Sequence, residues 1–143
     1  MTAAWRFHHI GVLVHDIDRA CVELARLGYT RCGERRVDPV QGVDFVIVGG
    51  RPAWPLLELI QPHRGDSVVS DLLQRTGATP YHLCFEVGNI KEALRDCHES
   101  GYTPCGEPSA SPLFDGRLAA FVYHTDLGLI EFLQQPGGVA VAS

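Results

Sequence analysis

Apolar residues along this chain follow two periods, two and 3.6, and the switch between them occurs in the same order twice. From Phe7 to Val14, Ile10, Val12 and Val14 alternate with His9, Gly11 and Leu13, and from Tyr81 to Val87 the trio Leu83, Phe85 and Val87 alternates with His82, Cys84 and Glu86. A period of two predicts a strand, and on this pattern both histidines face away from the greasier side. Helical spacing follows each strand: Ile17, Ala20, Cys21, Leu24 and Leu27 form one stripe, and Ile90, Ala93, Leu94 and Cys97 its counterpart. Gly28 and Gly101 stand where these helices should stop. Farther on, 43–48 and 56–61 predict a hairpin across a Gly-Gly-Arg-Pro loop, and 117–123 and 129–134 predict its counterpart across 124–128. Each half therefore reads as β-α-β-β-β. Between the halves, Val68, Val69, Leu72 and Leu73 at helical spacing predict a short connecting helix.

The two halves are also alike residue by residue. A shift of 73 positions lays His9 on His82 and Glu58 on Glu131, and it pairs Gly28-Tyr29-Thr30-Arg31-Cys32-Gly33-Glu34 with Gly101-Tyr102-Thr103-Pro104-Cys105-Gly106-Glu107, which differs at one residue. Val14, Ile17, Ala20, Pro39, Leu56 and Gln61 meet identical residues as well, so a duplicated supersecondary unit organises the chain. The expected fold class is α+β: one domain over 1–143, with module one at about 5–62, the connecting helix at about 63–79, module two at about 80–135, and a small, uncharged, frayed tail over 136–143.

Composition narrows the partners. At 143 residues the chain can bury about two-thirds of its unfolded surface in one core. A net charge of -5 argues against a sequence-independent grip on nucleic acid or an anionic membrane, leaving a small molecule as the expected partner. Uninterrupted apolar runs fall short of a membrane span, and the first seven residues lack the plan of a signal peptide, so the expected location is the cytoplasm. Cys21, Cys32, Cys84, Cys97 and Cys105 are odd in number and contain no C-x-x-C pair, which reads as reduced thiols serving as small core residues.

The candidate chemistry lies in the duplicated polar residues. Glu58 sits inside Leu56-Leu57-Glu58-Leu59-Ile60, and Glu131 inside Leu129-Ile130-Glu131-Phe132-Leu133. A carboxylate buried among apolar neighbours needs a hydrogen-bond network or a metal ion. Singly, a strand histidine is usually structural and a strand glutamate usually faces solvent; recurrence of both residue types in equivalent places favours one metal site built by two halves. Two neutral imidazoles and two carboxylates balance the charge of a divalent cation, and mixed nitrogen and oxygen ligation suits zinc, nickel, cobalt, manganese or iron better than calcium. His8 reads as a neighbour of that site or as strand surface, and His15, His63, His98 and His124 as surface groups. Tyr29 and Tyr102 read as repeated packing. Arg35-Arg36 reads as a solvated charge pair or a receptor for an anion such as phosphate.

With those residues in view, the chain resembles the vicinal oxygen chelate superfamily, which includes glyoxalase I, methylmalonyl-CoA epimerase, extradiol dioxygenases and drug-resistance proteins. The resemblance covers about Phe7 to Gln134 and is greatest to the epimerase branch, through His8-His9-Ile10-Gly11-Val12, Pro39-Val40-Gln41-Gly42-Val43, Leu57-Glu58-Leu59-Ile60-Gln61-Pro62, and His82-Leu83-Cys84-Phe85-Glu86-Val87 with Asn89-Ile90. It implies two tandem βαβββ modules around a metal cleft, with His9, Glu58, His82 and Glu131 as ligands. It also implies an isomerase or epimerase acting on an acyl-CoA-type thioester through an enolate, with Glu58 and Glu131 moving the proton, no organic cofactor, and a homodimer. The alternatives are a glyoxalase I-like lyase and a non-catalytic small-molecule binding or resistance protein of the same fold. The stretch Val43-Asp44-Phe45-Val46 offers no dedicated base beyond the ligand set.

Overall fold

The computed structural model describes residues 5–63, 65 and 67–137. These fall into two compact units, one of residues 9–81 and one of residues 82–137 together with 5–8. In chain order the first half contributes β1 (Arg6–Leu13), α1 (Ile17–Leu27), β2 (Thr30–Arg31), β3 (Arg36–Asp38), β4 (Val43–Gly49), β5 (Leu56–Pro62) and α2 (Ser70–Thr76). β5 lies between an antiparallel neighbour, β4, and a parallel one, β1, while β2 and β3 both pair with β4. A parallel pair needs a crossover, and α1 begins that crossover. Its sequence fixes its ends: the Asp16 carboxylate accepts the Arg19 N–H at 2.9 Å, and Gly28 turns the chain out of the helix at φ 102. Tyr29 then closes back on the Leu24 carbonyl at 3.0 Å.

The second half repeats this with β6 (Thr79–Val87), α3 (Ile90–Glu99), β7 (Thr103–Pro104), β8 (Ser109–Ala110), β9 (Leu118–His124) and β10 (Gly128–Gln134). β10 pairs in parallel with β6 and antiparallel with β9, and β7 and β8 both pair with β9. Asn89 caps α3 by accepting from Lys91 and Glu92, and Tyr102 closes back on Cys97 at 3.0 Å. The fold class is α+β with mixed sheets. In each half the second predicted strand is split into two short pieces, β2 with β3 and β7 with β8.

Each unit has its own core. In the first, Val14, Ile17, Val46, Val48 and Leu59 are buried together, with Val12, Ala20, Cys21 and Leu24 packed against them. In the second, Val87, Ile90, Ala93, Cys97, Ala120, Val122, Ile130 and Phe132 cluster, and Trp5 packs on Phe132 with ring centroids 5.0 Å apart. Trp54, in the loop between β4 and β5, lies 5.6 Å from the Tyr29 ring and fits because Gly50 has no side chain: a Cβ there would stand 2.5 Å from the indole.

Several expectations change in the folded chain. The gapless shift of 73 holds for β1 and β6, for the helices and for β5 and β10, but not for the return strands. Ile47 faces Glu58 whereas Phe121 faces Glu131, an offset of 74. One residue more before β9 is offset by a shorter turn after it, so the carboxylate strands stay in step. Leu27, expected on the apolar stripe of α1, is 67% exposed at the last turn. The connecting helix is shorter than the expected 63–79, because Gly77 leaves helical geometry and β6 already begins at Thr79. Cys84 and Cys97 are buried and Cys21 partly so, but Cys32 and Cys105 are exposed; each of these two follows a short strand, its thiol toward the Thr30 or Thr103 carbonyl. The tail expectation falls chiefly on residues 138–143, which lie outside the described residues.

Candidate functional site

Each unit holds one imidazole and one carboxylate side by side. In the first, β1 and β5 run parallel with His9 opposite Leu56 and Gly11 opposite Glu58. Residues two apart share a face, so His9 and Glu58 are diagonal neighbours on one surface of the sheet. The residue directly across from Glu58 is a glycine, which leaves the space over the strand open to the imidazole. His9 Nε2 lies 3.4 Å from Glu58 Oε2. The second unit repeats the register: His82 is opposite Leu129, Cys84 is opposite Glu131, and His82 Nε2 lies 3.5 Å from Glu131 Oε1. Phe121 stands edge-on to the His82 ring at 5.3 Å and fixes its plane.

Burial corrects one expectation. The histidines do face away from the helix-covered side, on which Val12 packs, but theirs is the drier face: His9 is fully buried and His82 is 3% exposed, while Leu83 on the opposite face is 39% exposed. Glu58 and Glu131 are each 6% exposed. Alternation within one strand tells which residues share a face, not which face is closed over.

The donor set fits a divalent cation. Nitrogen and oxygen donors each about 2.1 Å from one ion stand about 3.0 to 3.4 Å apart between right-angled and tetrahedral positions. Each His–Glu spacing is near the upper end of that range, longer than an ordinary N–H···O bond. Two carboxylates would neutralise a doubly charged ion, and all four donor residues are buried.

The other candidates take structural places. Arg35 is engaged by its own unit: its Nε and Nη2 both donate to Asp44 Oδ2, at 2.9 and 2.7 Å, and its Nη2 also donates to Gln61 Oε1 at 3.2 Å. His63, expected as a surface group, is exposed but anchored, with Nδ1 2.8 Å from Asp44 Oδ1. His15 and His98 are exposed, His124 packs on Tyr102 at 4.6 Å, and His8 stands edge-on to Phe114 at 5.2 Å. Gln61 and Gln134, identical under the shift of 73 and given no role by the sequence, each accept a backbone N–H from a helix start. That identity at the shift of 73 was the available signal.

A duplicated β-α-β-β-β unit with one buried imidazole–carboxylate pair per copy defines the vicinal oxygen chelate class. Residues 8–121 match the Glyoxalase/Bleomycin resistance protein/Dioxygenase superfamily, and the chain belongs to it. It is similar to the mitochondrial methylmalonyl-CoA epimerase of Bos taurus, 29% identical over 133 residues that cover 90% of this chain and 74% of the bovine protein. Among solved structures it is similar to methylmalonyl-CoA epimerase from Mycobacterium tuberculosis, at TM-score 0.79 and 20% identity, covering 95% of this chain and 91% of that one. It is similar as well to a methylmalonyl-CoA epimerase in complex with methylmalonyl-CoA and NH4+, at TM-score 0.78 and 23% identity, covering 93% and 96%. No helix among the described residues is long and apolar enough to cross a membrane.

Proposed function

We propose that this chain is a divalent-metal-dependent isomerase or epimerase of an acyl-CoA-type thioester, like methylmalonyl-CoA epimerase, in which His9, Glu58, His82 and Glu131 hold one cation. The observation that carries this reading is the buried His–Glu pair repeated in the same strand register, at 3.4 and 3.5 Å. Membership of the superfamily and the epimerase relatives support the substrate class. The reading takes both modules as halves of one domain and the working form as a homodimer with a small-molecule partner.

When bound, a divalent cation supplies positive charge to the oxygen on which negative charge develops as the α-proton leaves. The chain's own residues do the rest. His9 and His82, held in dry surroundings, would hold the cation through their ring nitrogens. Glu58 and Glu131 are the carboxylates available to move the proton: one takes it from one face of the α-carbon and the other returns it to the opposite face, which inverts the centre. Apolar β4 and β9 neighbours, Phe45, Ile47 and Phe121, keep water from competing for the carbanion.

The test is metal content of the tag-free protein and of Glu131→Ala, followed by α-proton exchange with methylmalonyl-CoA in deuterated water. Stoichiometric metal lost in the variant, with exchange that needs the metal, is the expected result. Metal without exchange on this or any other acyl thioester, but with turnover of a thiohemiacetal, would overturn the epimerase assignment in favour of a glyoxalase-type lyase. Absence of metal from the native protein would overturn the metal reading.

A further inference from the structure

The parallel neighbours β1 and β5 are joined by no tight turn that could fix their register, and a slip of one residue would carry Glu58 to the face opposite His9. The same exposure to slippage applies to β6 and β10, with His82 and Glu131. Something other than a hairpin must hold each pair in step.

In the first unit the side-chain carbonyl of Gln61, three residues after Glu58, accepts the N–H of Ile17 at 2.8 Å. Ile17 opens α1, the helix that follows the His9 strand. In the second unit the side-chain carbonyl of Gln134, three residues after Glu131, accepts the N–H of Ile90 at 3.4 Å, and Ile90 opens α3 after the His82 strand. Each glutamine thus ties a carboxylate strand to the helix leaving its histidine strand, and satisfies one of the orphan N–H groups of that helix. A slipped strand would lose this bond.

The supports behind the two glutamines differ. Gln61 Oε1 also receives Arg35 Nη2 at 3.2 Å, and Arg35 is forked onto Asp44. The backbone carbonyl of Gln134 instead receives Arg117 Nε at 2.7 Å, and Arg117 is paired with Glu86. Under the shift of 73, Arg35 falls on Pro108 and Asp44 on Arg117, so neither arginine–carboxylate pair was copied from the other. The two halves brace the same glutamine by different means, which a bond merely inherited from duplication would not require.

We propose that Gln61 and Gln134 are positioning residues that set the spacing within the pairs His9–Glu58 and His82–Glu131. Their functional weight rests on the metal reading above; their effect on the pairs does not. The experiment compares Gln61→Met, Gln61→Glu and Asp16→Ala with the native protein, reading the His9 imidazole 15N resonances of metal-free protein and then Co2+ affinity. Asp16 caps the same helix through Arg19 without reaching β5, so its loss weakens α1 and leaves the strand tie intact. Expected are shifted His9 resonances in Gln61→Met alone, return of the native spectrum in Gln61→Glu, and about a tenfold loss of Co2+ affinity in Gln61→Met. If Gln61→Met does not fold, Gln61→Asn removes the same reach with a smaller change and carries the same expectation. Unmoved His9 resonances in Gln61→Met (or in Gln61→Asn where that replaces it), or equal shifts in Asp16→Ala, overturn the proposal. A native protein that ignores Co2+ while His9 still shifts in Gln61→Met sustains the positioning role and sinks the metal reading.

Discussion

Replacing both members of the first pair, His9→Leu with Glu58→Leu, is expected to stabilise the metal-free protein and to abolish any stabilisation by metal. His9 is fully buried and Glu58 is 6% exposed, with Leu57 and Leu59 flanking the carboxylate in the strand. Removing one partner alone would strand the other, at about 1–3 kcal/mol for a buried polar group. Removing both avoids that cost, and exchange of a buried ionic pair for apolar side chains of similar volume ranges from neutral to about 4 kcal/mol stabilising. A mid-range gain is about 2 kcal/mol. At about 2.1 cal/mol/K per residue, unfolding 143 residues carries about 0.3 kcal/mol/K, so the melting temperature should rise by roughly 7 °C. Native protein at a metal concentration of about 100 times Kd should gain about 2.7 kcal/mol, or roughly 9 °C, and the double variant nothing. Differential scanning calorimetry after chelation, and again with added metal, reads both quantities. A pair retained for structure would behave in the opposite way, with the double variant losing several kcal/mol in chelator, and that result would refute the functional account of His9 and Glu58.

Two further outcomes concern the scaffold. Burial, reinforced by the neighbouring Asp96 charge, pushes the Cys97 thiol above its ordinary 9.0. The folded chain therefore keeps a proton that the unfolded chain releases; this contribution is intact below pH 9.0 and is lost as pH rises beyond it. Urea unfolding between pH 8 and 10 should weaken native protein more than Cys97→Ala, and equal weakening would contradict the burial argument. Gly50→Ala places a methyl 2.5 Å from Trp54 Cε3, which should displace the indole, cost about 1–3 kcal/mol as overpacking does, and shift the tryptophan emission. An unchanged spectrum and stability would show that the loop moves instead.

The repeat made most of the architecture legible. Period and duplication together located β1, α1, β4, β5, α3, β9 and β10 to within about two residues, because helical spacing, strand alternation and apolar runs bounded by turn residues are all set by neighbours in sequence. What sequence could not supply depends on residues distant in the chain. His9 is fully buried although Phe7, two residues earlier on the same face of β1, is exposed, a difference that no alternation within seven residues contains. Arg35 looked available to an anion until Asp44, nine residues later, occupied it. Cys32 and Cys105 matched each other in sequence and still proved exposed, since recurrence marks equivalence of place and says nothing of depth. The same limit applied to Gln61 and Gln134: identity was visible, but the partners Ile17 and Ile90 lie 44 residues away in each case.

The chain has two tryptophans, and they are divided between the units: Trp5 sits on Phe132 in one, Trp54 beside Tyr29 in the other. Trp5→Phe and Trp54→Phe therefore each leave a single fluorophore that reports one half of a duplicated fold. Superposable denaturation curves from the two variants would mean that the halves melt as one cooperative body. Separated curves would mean that an ancestral repeat still keeps its own melting point inside the modern chain.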